Sequence, residues 1–552
     1  MNAPVNADAP MRGVSPWLAY ALALALAAIQ IWWLFPVSFL EGRGLFFFDG
    51  DIVKDITGWL FFNQEPWRLP LLYTPSLNYP DGISIAFTDS IPLMALLFKP
   101  FVASLPPGFH YFGWWHAVAF AGQALGAVFL VRALGCRGLL AAIAATLFAL
   151  NWPVLLYRFG HSALLAQGTV LFALGCYFHA SRGTWSAARA AVALSAVCQL
   201  ALLIHPYLLA MCYAVLAAFV LDEGLRAGQW LLQLRRLLTA MLISLALAGV
   251  LGFFAGGLST GGYGQYALGL NALWCGGDTS VWFTCSAGGG ESYAYLGAGL
   301  LLMLPIVMLA EWRAVLSLPR RFPGLVLVCV LLTLYAVTNR VVIGQTVVYE
   351  FALPALLHQM FSIFQASARF FWPVGYLLLF GALAVLLQRG WVGALVVILA
   401  LAIQWYDIGQ RRDDILVAAR AAEQPFDAGW QRAMHGVDHV AMYPAFGCGD
   451  LDRFAYLPVQ YLAAHHGATF NTVYAARSTT DCKAKHALFQ QDVQPDQLFV
   501  APAALPAQAL PPAFRTAAQH GQCATLPIAP VFWGVARAQD LLACRARPVE
   551  QW

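Results

Sequence analysis

Long apolar segments recur along the first three quarters of the chain and are separated by shorter polar stretches. A helix that crosses a lipid bilayer needs about 20 consecutive, mostly apolar residues, and by this rule the pattern predicts roughly eleven transmembrane helices. Two of them are short and meet at His205-Pro206, so the count is approximate. The predicted spans are 15–37, 111–134, 138–157, 162–180, 187–204, 206–221, 237–257, 294–311, 322–338, 370–387 and 390–406.

The loops between these spans differ in charge on the two sides of the predicted membrane. One side carries most of the arginines, whereas the opposite loops carry only scattered bases. Because short basic loops stay in the cytoplasm, we predict a membrane protein with a cytoplasmic N-terminus and, for an odd number of spans, a C-terminus on the outer side. The arginines in question are Arg132, Arg137, Arg182, Arg189, Arg226, Arg235, Arg236, Arg313, Arg320, Arg321 and Arg389.

From about residue 407 the sequence becomes polar, charged and rich in proline, and no further apolar span follows. We therefore predict a transmembrane domain over 1–406 and a soluble domain over 407–552. In the soluble domain HVAMYPAF and PIAPVFWGVA are typical of strands, whereas PVQYLAAHHG and PAFRTAAQHG are typical of helices that end in glycine. The predicted fold class is an α-helical polytopic membrane protein with a C-terminal mixed α/β domain.

Three segments on the predicted outer side, 38–110, 256–293 and 339–369, are too long to be simple connections. The first contains two stretches, 51–62 and 92–102, that are typical of short amphipathic helices. The second is rich in glycine, which disfavours a helix. The third ends in HQMFSIFQASARFFWP, an amphipathic stretch that fits a membrane interface.

The composition agrees with a membrane protein and argues against a soluble protein and against a nucleic-acid-binding protein. Of all residues 60% are hydrophobic and 11% are charged, with a mean hydropathy of +0.67, whereas about 25% of the residues of a soluble protein are charged. The net charge is only +4 and no run of Lys and Arg marks a nucleic-acid surface, so we predict no nucleic-acid partner.

The cysteines divide according to compartment. Five lie in or next to the apolar spans, where small buried side chains are expected, and six lie in outer segments, where an oxidising compartment favours disulfides. We predict a bond between Cys275 and Cys285, which share one loop, and two bonds among the other four, for which three connectivities are open. Those four are Cys448, Cys482, Cys523 and Cys544, and the cysteines of the spans are Cys136, Cys176, Cys198, Cys212 and Cys329.

Two carboxylates, Asp49 and Asp51, follow the first span in the sequence FFFDGD. A carboxylate there can accept the proton of an attacking hydroxyl, and a pair can hold a divalent cation such as Mg or Mn against a phosphate. The structural alternative is that Asp51 caps the short helix that follows. The two roles are compatible, so we predict Asp51 and Asp49 as catalytic residues and as candidate metal ligands, although no cofactor is certain from the sequence.

The order of features in this region resembles the GT-C superfamily of integral-membrane glycosyltransferases. A span, the pair in FFFDGD, a short helix, a connector rich in Pro and Tyr, and a second short helix in IPLMALLFKPF follow one another. The resemblance implies a GT-C-like fold over roughly 15–400 and transfer of a sugar from a polyprenyl-phosphate carrier, with an Asp of the first outer loop as base. The pattern is also similar to a family of bacterial membrane proteins with a C-terminal periplasmic domain, in which the Gly-Asp pair corresponds to Gly50-Asp51, and this favours Asp51 over Asp49.

Polar residues near the outer ends of the spans are candidates for substrate binding. Arginine suits phosphate because its planar guanidinium can bind two oxygens, and the resemblance implies that basic residues of late outer loops bind the carrier phosphate. Structural alternatives are a helix cap for Asp89, a partner of a helix dipole for Lys99 and an interfacial anchor for Arg369. The full set is Asp89, Lys99, Arg158, His161, His205, Glu291, Arg340 and Arg369.

These observations predict a membrane glycosyltransferase that moves a hexose or pentose from a polyprenyl-phosphate carrier to a glycan, lipid or protein on the outer face. Since the chain has no Walker A loop, Rossmann glycine pattern or HExxH motif, a lipid-linked donor is favoured over a soluble nucleotide sugar. One alternative is a transporter or flippase of a lipid-linked glycan, which would place polar residues near the bilayer midplane. Another is a non-catalytic scaffold for assembly of an envelope glycan.

Overall fold

The computed structural model describes residues 13–42, 51–255, 261–288, 290–420, 426–449, 457–475, 480–528 and 539–552, with the backbone alone at Asp51 and Gln539. The helices are α1 Pro16–Leu34, α2 Val37–Leu40, α3 Asp51–Gln64, α4 Pro92–Phe98, α5 Phe112–Ala133, α6 Leu139–Leu150, α7 Pro153–Tyr157, α8 Gly168–Ser181, α9 Ala187–Leu202, α10 Pro206–Ala227, α11 Trp230–Leu251, α12 Ala298–Arg321, α13 Pro323–Val337, α14 Ala355–Phe361, α15 Trp372–Leu387, α16 Gly390–Asp407, α17 Gly409–Ala418, α18 Ala428–Met434, α19 Leu457–His465, α20 Cys482–Ala487 and α21 Pro512–Gln519.

The strands are short and fall into three sheets. Strands β1 and β2 pair in the first long loop, β3 and β4 form a hairpin between α13 and α14, and β5 to β9 form one sheet of the C-terminal domain. Their bounds are β1 Tyr73–Thr74, β2 Ile83–Ser84, β3 Arg340–Ile343, β4 Thr346–Glu350, β5 His439–Met442, β6 Thr469–Phe470, β7 Gln497–Pro502, β8 Cys523–Ile528 and β9 Gln539–Cys544.

The predicted class, a polytopic helical membrane protein with a C-terminal sheet domain, is confirmed. Among the described residues nine helices are long and apolar enough to cross a membrane. Two further apolar helices, α9 and α13, stand at the positions of the remaining predicted spans but have only 16 and 15 residues. The predicted number of eleven is therefore approximate because these two crossings fall short of the usual length.

Each span buries one side against its neighbours. In α1 the buried positions Ala19, Ala23 and Ala27 recur every four residues, whereas Trp17 and Trp32 are exposed. Helices α5 and α8 approach each other at Gly168, where a Cβ atom would lie 2.6 Å from the carbonyl oxygen of Gly122. Small residues at such contacts let helix backbones come close together in a membrane, where lipid offers no hydrophobic drive for helix association.

The two ends of the bundle differ. At one end, called the basic face, Arg132 and Arg182 donate to the carbonyl oxygens of Val14 and Leu134, at 3.3 and 3.1 Å. The other end, called the loop face, carries α3, α4, the hairpin β3–β4 and the C-terminal domain. This segregation of arginines is the pattern that predicts the orientation in the membrane. The assignment of the basic face to the cytoplasm stays a prediction.

The C-terminal domain is a five-stranded mixed sheet in the order β6-β5-β7-β9-β8. Strand β5 is parallel to both β6 and β7, and β9 is antiparallel to β7 and β8. Helix α21 lies within the second segment predicted to be helical, α19 begins one residue before the first, and β5 lies within HVAMYPAF. In PIAPVFWGVA only Pro527 and Ile528 belong to a described strand, the end of β8, and 529–538 lie outside the described residues.

The C-terminal domain docks on the first long loop. The edge of β6 pairs with this loop, since the Phe470 amide donates to the Ser76 carbonyl at 2.8 Å and the Tyr79 amide donates to the Phe470 carbonyl at 2.9 Å. The buried ammonium of Lys485 lies 2.9 Å from Asp81 and also donates to the carbonyl oxygen of Tyr79. Loop and domain therefore share backbone pairing, which fixes their relative position more firmly than side-chain contacts alone.

Three disulfides agree with the prediction. Cys275 is bonded to Cys285, and the four C-terminal cysteines pair as Cys448–Cys482 and Cys523–Cys544. The second bond joins the residues that follow β5 to the first residue of α20. The third joins the neighbouring antiparallel strands β8 and β9.

The segment 339–369 contains a hairpin for which the sequence analysis made no prediction. It begins with the hairpin β3–β4, continues through the seven-residue helix α14 and leads into the 3₁₀ turn Ser367–Phe371. The hairpin has a readable signal, because Gly344 at φ +60 supplies the left-handed turn between two strands rich in β-branched residues.

Replacing Gly58 of α3 by alanine should destabilise the protein. A Cβ atom there would lie inside van der Waals contact of the Thr88 and Ser90 hydroxyls, so α3 would have to move away from the segment before α4. Forced overpacking of this kind costs about 1–3 kcal/mol, measurable as a lower melting temperature of the purified protein.

The matched control for this prediction is Gly381→Ala in α15, where no atom lies within 4 Å of the new Cβ. Alanine is the better helix former, so this variant should melt at the wild-type temperature or slightly above it. Equal melting of the Gly58→Ala and Gly381→Ala variants would contradict the close packing of α3.

Candidate functional site

A strained backbone segment presents Asp89 at the loop face. The 3₁₀ turn Ile85–Thr88 ends at Asp89, which has φ +56, and Ile91 has φ +50. The left-handed region is costly for non-glycine residues and most of all for a β-branched residue. Hydrogen bonds hold the segment, since the Ser90 hydroxyl donates to the Asp55 carbonyl at 2.6 Å. Strain of this kind concentrates at functional sites.

Lys54 of α3 joins Asp89 to the helix. Its Nζ lies 2.9 Å from Oδ1 of Asp55 and 2.8 Å from Oδ2 of Asp89, and it also donates to the Thr88 carbonyl at 3.2 Å. Lys54 and Asp55 are buried, whereas the side chain of Asp89 is 28% exposed. Burial alone would raise the pKa of Asp89, but the charge of Lys54 and a hydrogen bond from His205 outweigh it and hold this pKa far below its usual range.

His205 is fixed in one tautomer between its neighbours. Nδ1 accepts the Tyr207 amide at 3.1 Å, and Nε2 lies 3.3 Å from Oδ1 of Asp89. Since Nδ1 accepts, the ring proton must sit on Nε2 and point to the carboxylate. Burial lowers the pKa of His205 while Asp89 acts against this shift, so the imidazole is neutral at pH 7 and serves to orient Asp89.

A second group of charges surrounds Glu291. Its Oε2 accepts from Arg158 at 2.9 Å and from Arg369, and its Oε1 lies 3.0 Å from Nε2 of His161. Burial would raise the pKa of Glu291, but the two guanidinium groups and the hydrogen bond from His161 hold it well below its usual range. Two arginines therefore share one ionised carboxylate.

The two groups meet at Tyr207, which follows His205. The guanidinium of Arg369 lies 4.6 Å from the centre of the Tyr207 ring, and the Ala366 amide donates to the Tyr207 hydroxyl at 2.7 Å. The junction between α9 and α10 thus connects the first long loop to the segment before α15. The charged cluster, as it is called below, consists of Lys54, Asp55, Asp89, Arg158, His161, His205, Glu291 and Arg369.

Six of the predicted binding residues belong to this cluster, and two do not. Lys99 donates to the Phe62 carbonyl at 2.7 Å and lies over the Phe62 ring, so it caps the end of α3. Burial lowers the pKa of Lys99 to about 8, although the charge of Glu65 acts to raise it. Arg340 is exposed on β3 and lies 4.0 Å from Glu350. The six residues that come together are Asp89, Arg158, His161, His205, Glu291 and Arg369.

The side chains of the predicted catalytic pair, Asp49 and Asp51, are not among those that the structure describes. Asp49 is outside the described residues, and Asp51 is described only as the first backbone position of α3. Positions 54 and 55 of an α-helix lie one turn after position 51. Among the residues that the structure describes, no three His, Cys, Asp or Glu side chains come together as a metal site would require. The predicted cation at Asp49 and Asp51 therefore stays a prediction.

Sequence reasoning missed Lys54 and Asp55 as members of the site. The signal was present, because KD interrupts an otherwise apolar helix, DIVKDITGWLFF. Charged residues inside such a helix are expensive unless they meet partners. The partner Asp89 lies 35 residues away along the chain from Lys54, and only the fold brings the two together.

Two family models match the sequence of this chain. Residues 24–409 match the model described as a domain of unknown function, DUF6311, and residues 429–531 match the model of the DUF6311 C-terminal domain. The chain belongs to the DUF6311 family. None of the curated proteins compared with the chain matches it.

Solved structures similar to this DUF6311 protein include two of the oligosaccharyltransferase of Archaeoglobus fulgidus. The complex with Zn and sulfate has 13% identity and a TM-score of 0.45, with 94% of this chain and 72% of that chain covered. The form tethered to an acceptor peptide with an NVT sequon has 14% identity and a TM-score of 0.42, with 82% and 64% covered.

A third similar structure is that of the arabinofuranosyltransferase AftD from Mycobacteria. It has 14% identity and a TM-score of 0.47, with 97% of this chain and 42% of that chain covered. This chain thus spans less than half the length of the AftD chain. At these identities and scores the likenesses concern general architecture, and they assign neither an activity nor a substrate to this chain.

Replacing Glu291 by glutamine should destabilise the loop face. The buried side chain of Arg158 and that of Arg369 would keep their charges and lose the carboxylate that they share. Removing one partner of a buried ion pair costs about 3 kcal/mol or more. Thermal melts of the purified Glu291→Gln variant and wild type in one detergent measure this loss.

Glu311→Gln is the matched control, because Glu311 also pairs with an arginine, Arg389, but both side chains are exposed. An exposed pair contributes less than about 1 kcal/mol, so this variant should melt near the wild-type temperature. If both substitutions lowered the melting temperature equally, the cluster around Glu291 would not be the stabilising feature inferred from its burial.

Proposed function

We propose that this protein is a GT-C-type glycosyltransferase that transfers a sugar from a polyprenyl-phosphate carrier to an acceptor hydroxyl at the loop face. The observation that carries the proposal is the charged cluster at the loop-face ends of the spans, in which Arg158 and Arg369 share Glu291. Ionised groups at the edge of a membrane bundle are expensive to keep and indicate a functional site. The loop face is proposed to be periplasmic, on the inner membrane of a bacterium.

The two arginines suit the phosphate of a lipid carrier. Sugar transfer breaks the bond between the anomeric carbon and the phosphate oxygen, so negative charge grows on the phosphate in the transition state. Within the described part of the chain, the buried Nε atoms of Arg158 and Arg369 have no hydrogen-bond partner. These groups thus retain unused donors beside Glu291. We regard Glu291 as an internal counter-ion that orients both guanidinium groups before a phosphate arrives.

Asp51 is proposed as the general base. In one displacement the acceptor oxygen bonds to the anomeric carbon as its proton passes to the carboxylate, and polyprenyl phosphate leaves with the bonding electrons, which inverts the configuration. The low pKa values of Asp89 and Glu291 argue against these two as bases, because a carboxylate bound to cations accepts a proton poorly. Asp51 stands one turn before Lys54.

The proposal includes a divalent cation at Asp49 and Asp51, but no step of the proposed mechanism requires it. If bound, Mg or Mn would supply positive charge to the phosphate. The residues of the charged cluster act without it: Lys54 and His205 orient Asp89, and Arg158 and Arg369 provide the positive charge near the carrier.

Arg369→Lys should lower turnover by roughly 10²-fold, the scale seen when one donor to a transition-state oxyanion is lost. Lysine keeps the charge but loses the planar fork that can bind two phosphate oxygens while it faces Glu291. The assay is transfer of radiolabelled sugar from synthetic polyprenyl-phosphate donors, both hexose and pentose, to membrane fractions that contain the native acceptors.

Arg340→Lys is the matched control, because Arg340 lies on the exposed hairpin outside the charged cluster. It should leave turnover unchanged. A normal rate for Arg369→Lys together with a reduced rate for Arg340→Lys would move the phosphate site to the hairpin.

Asp51→Asn should also lower turnover, by at least about 10²-fold, because asparagine keeps the shape of the side chain and cannot accept the proton. Asp49→Asn should cost less unless a shared cation is essential. Both variants should insert and melt as wild type does, since asparagine has the size and shape of aspartate. Near-normal transfer by Asp51→Asn would remove the base from the proposed mechanism.

A further inference from the structure

The segment between α13 and α15 exposes a large amount of apolar surface at the loop face. Every residue of β4 is exposed, and no residue of α14 is buried. Contiguous apolar surface that the protein itself leaves uncovered indicates a contact with a membrane or with another protein. Residues 340–363 are called the hairpin–helix unit below. Its exposed large apolar side chains are Ile343, Val347, Val348, Tyr349, Phe351, Leu356, Leu357, Met360 and Ile363.

The hairpin β3–β4 has one charged face and one apolar face. Residues paired directly across two strands share a face, and neighbours along β3 alternate between the two faces. One face carries the pair of Arg340 and Glu350, whose side chains lie 4.0 Å apart. Tyr349 is paired with Val341 and therefore shares the opposite face with Ile343. On that face Tyr349 is 63% exposed and Ile343 is 46% exposed.

Phe351 and α14 extend the apolar face of the hairpin. The Phe351 amide donates to the Asn339 carbonyl at 3.1 Å, which continues the strand pairing beyond Glu350, and its ring centroid lies 5.9 Å from that of Tyr349. Aromatic side chains are enriched where a membrane meets water. In α14 the exposed residues Leu356 and Met360 are four positions apart and lie on one side of the helix.

Contacts with α13 place the unit at the end of an apolar helix of the bundle. The Tyr335 hydroxyl donates to the Phe361 carbonyl at 2.7 Å, and the two rings pack edge to face with centroids 5.5 Å apart. Tyr335 belongs to the last turn of α13, which ends at Val337. The side of α13 that the bundle leaves exposed is apolar up to this turn. Its residues are Leu327, Val330, Leu331 and Leu334. The lipid that covers this side of α13 therefore borders on the unit, which makes lipid the favoured partner of the apolar face.

Two features keep the unit out of the hydrocarbon core. The charges of Arg340 and Glu350 would be expensive among lipid tails. Among the strands that the structure describes, β4 pairs with β3 alone, so its outer edge carries backbone N–H and C=O groups that need water or headgroups as partners. The headgroup layer meets both demands, because lipid tails lie on one side of it and water on the other.

We propose that the hairpin–helix unit lies in the headgroup layer of the leaflet at the loop face. The face of Ile343, Tyr349 and Phe351 contacts lipid, and the face of Arg340 and Glu350 points to water. The formal charges of these last two residues cancel, and the unit contains no other Lys, Arg, Asp or Glu. Apolar contact, not attraction to anionic headgroups, therefore holds the unit on the bilayer. The inference concerns membrane attachment and does not depend on the proposed function.

Spin labelling of the full chain in nanodiscs tests the inference. Single cysteines at Ile343 and Tyr349 report on the apolar face, and single cysteines at Arg340 and Glu350 report on the charged face. The parent protein carries Cys329→Ala, because of the five free cysteines that the structure describes this one alone is not buried. Power saturation compares collisions with oxygen, which concentrates in lipid, and with a nickel chelate that stays in water. The oxygen-to-nickel ratio should be at least about threefold higher on the apolar face, which lies at the boundary of headgroups and acyl chains.

Two further sites supply reference values. Leu242→Cys in α11, where the native side chain is 65% exposed, should give the ratio of a label in lipid. Gln519→Cys on the exposed side of α21 should give the ratio of a label in water. Melting curves should show that every labelled variant is as stable as the parent. The inference is overturned if labels on both hairpin faces match the label at 519. Protection of the apolar face from both reagents would also overturn it, because a partner protein or a second copy would then cover the unit.

A second arm varies the charge of the lipid. The ratio at Tyr349→Cys should be equal in nanodiscs of phosphatidylcholine and of phosphatidylglycerol, because the charges of Arg340 and Glu350 cancel. A ratio raised in phosphatidylglycerol alone would contradict the inference, since an anionic headgroup would then hold the unit. These measurements need no substrate, so their outcome is separate from that of the sugar-transfer assay.

Discussion

A single buried ammonium connects the parts of the loop face. Lys54 leaves α3 and bonds to Asp55, to the Thr88 carbonyl and to Asp89, and Asp89 receives His205 from the junction of α9 and α10. Removing one partner of a buried ion pair costs about 3–5 kcal/mol, and the charge of Lys54 takes part in two pairs, with Asp55 and with Asp89. Lys54 therefore joins α3 to the strained segment before α4 and, through Asp89, to His205.

The same electrostatics determine how the site responds to pH. Asp89 and Glu291 have lowered pKa values in the folded protein, so their ion pairs stabilise the fold fully above the ordinary carboxyl pKa of about 4. This stability is lost as the pH falls towards the lower folded values. At neutral pH the cluster holds ionised acids, cationic arginines and a neutral His205, and it can bind an anion without a proton change.

Sequence patterns predicted those features that depend on local or compartment-wide rules. Apolar length predicted the spans. The sorting of cysteines by compartment predicted the bond between Cys275 and Cys285 and two further bonds, for which the structure supplies the pairing. An arginine where a polar stretch meets a span suits a phosphate, and this argument predicted Arg369 as a binding residue. The structure places Arg369 beside Glu291 in the charged cluster. Lys99 and Lys54 show what sequence patterns cannot predict. Both are lysines of the first long loop, but Lys99 caps α3 at Phe62, whereas Lys54 belongs to the charged cluster. That difference arises from contacts between distant parts of the chain, which no local pattern encodes.

The membrane domain and the C-terminal domain are in contact at α3. Every side chain from 52 to 62 is buried, whereas the short amphipathic helix predicted for 51–62 would leave its polar face in water. A helix buried all round needs partners on every side, and α19 supplies one of them through Gln460 and Thr57. Because Lys54 belongs to α3, any shift of the C-terminal domain moves the charged cluster. By linkage, a ligand that favours the docked arrangement of the C-terminal domain must itself bind more tightly to the docked form, by the same factor.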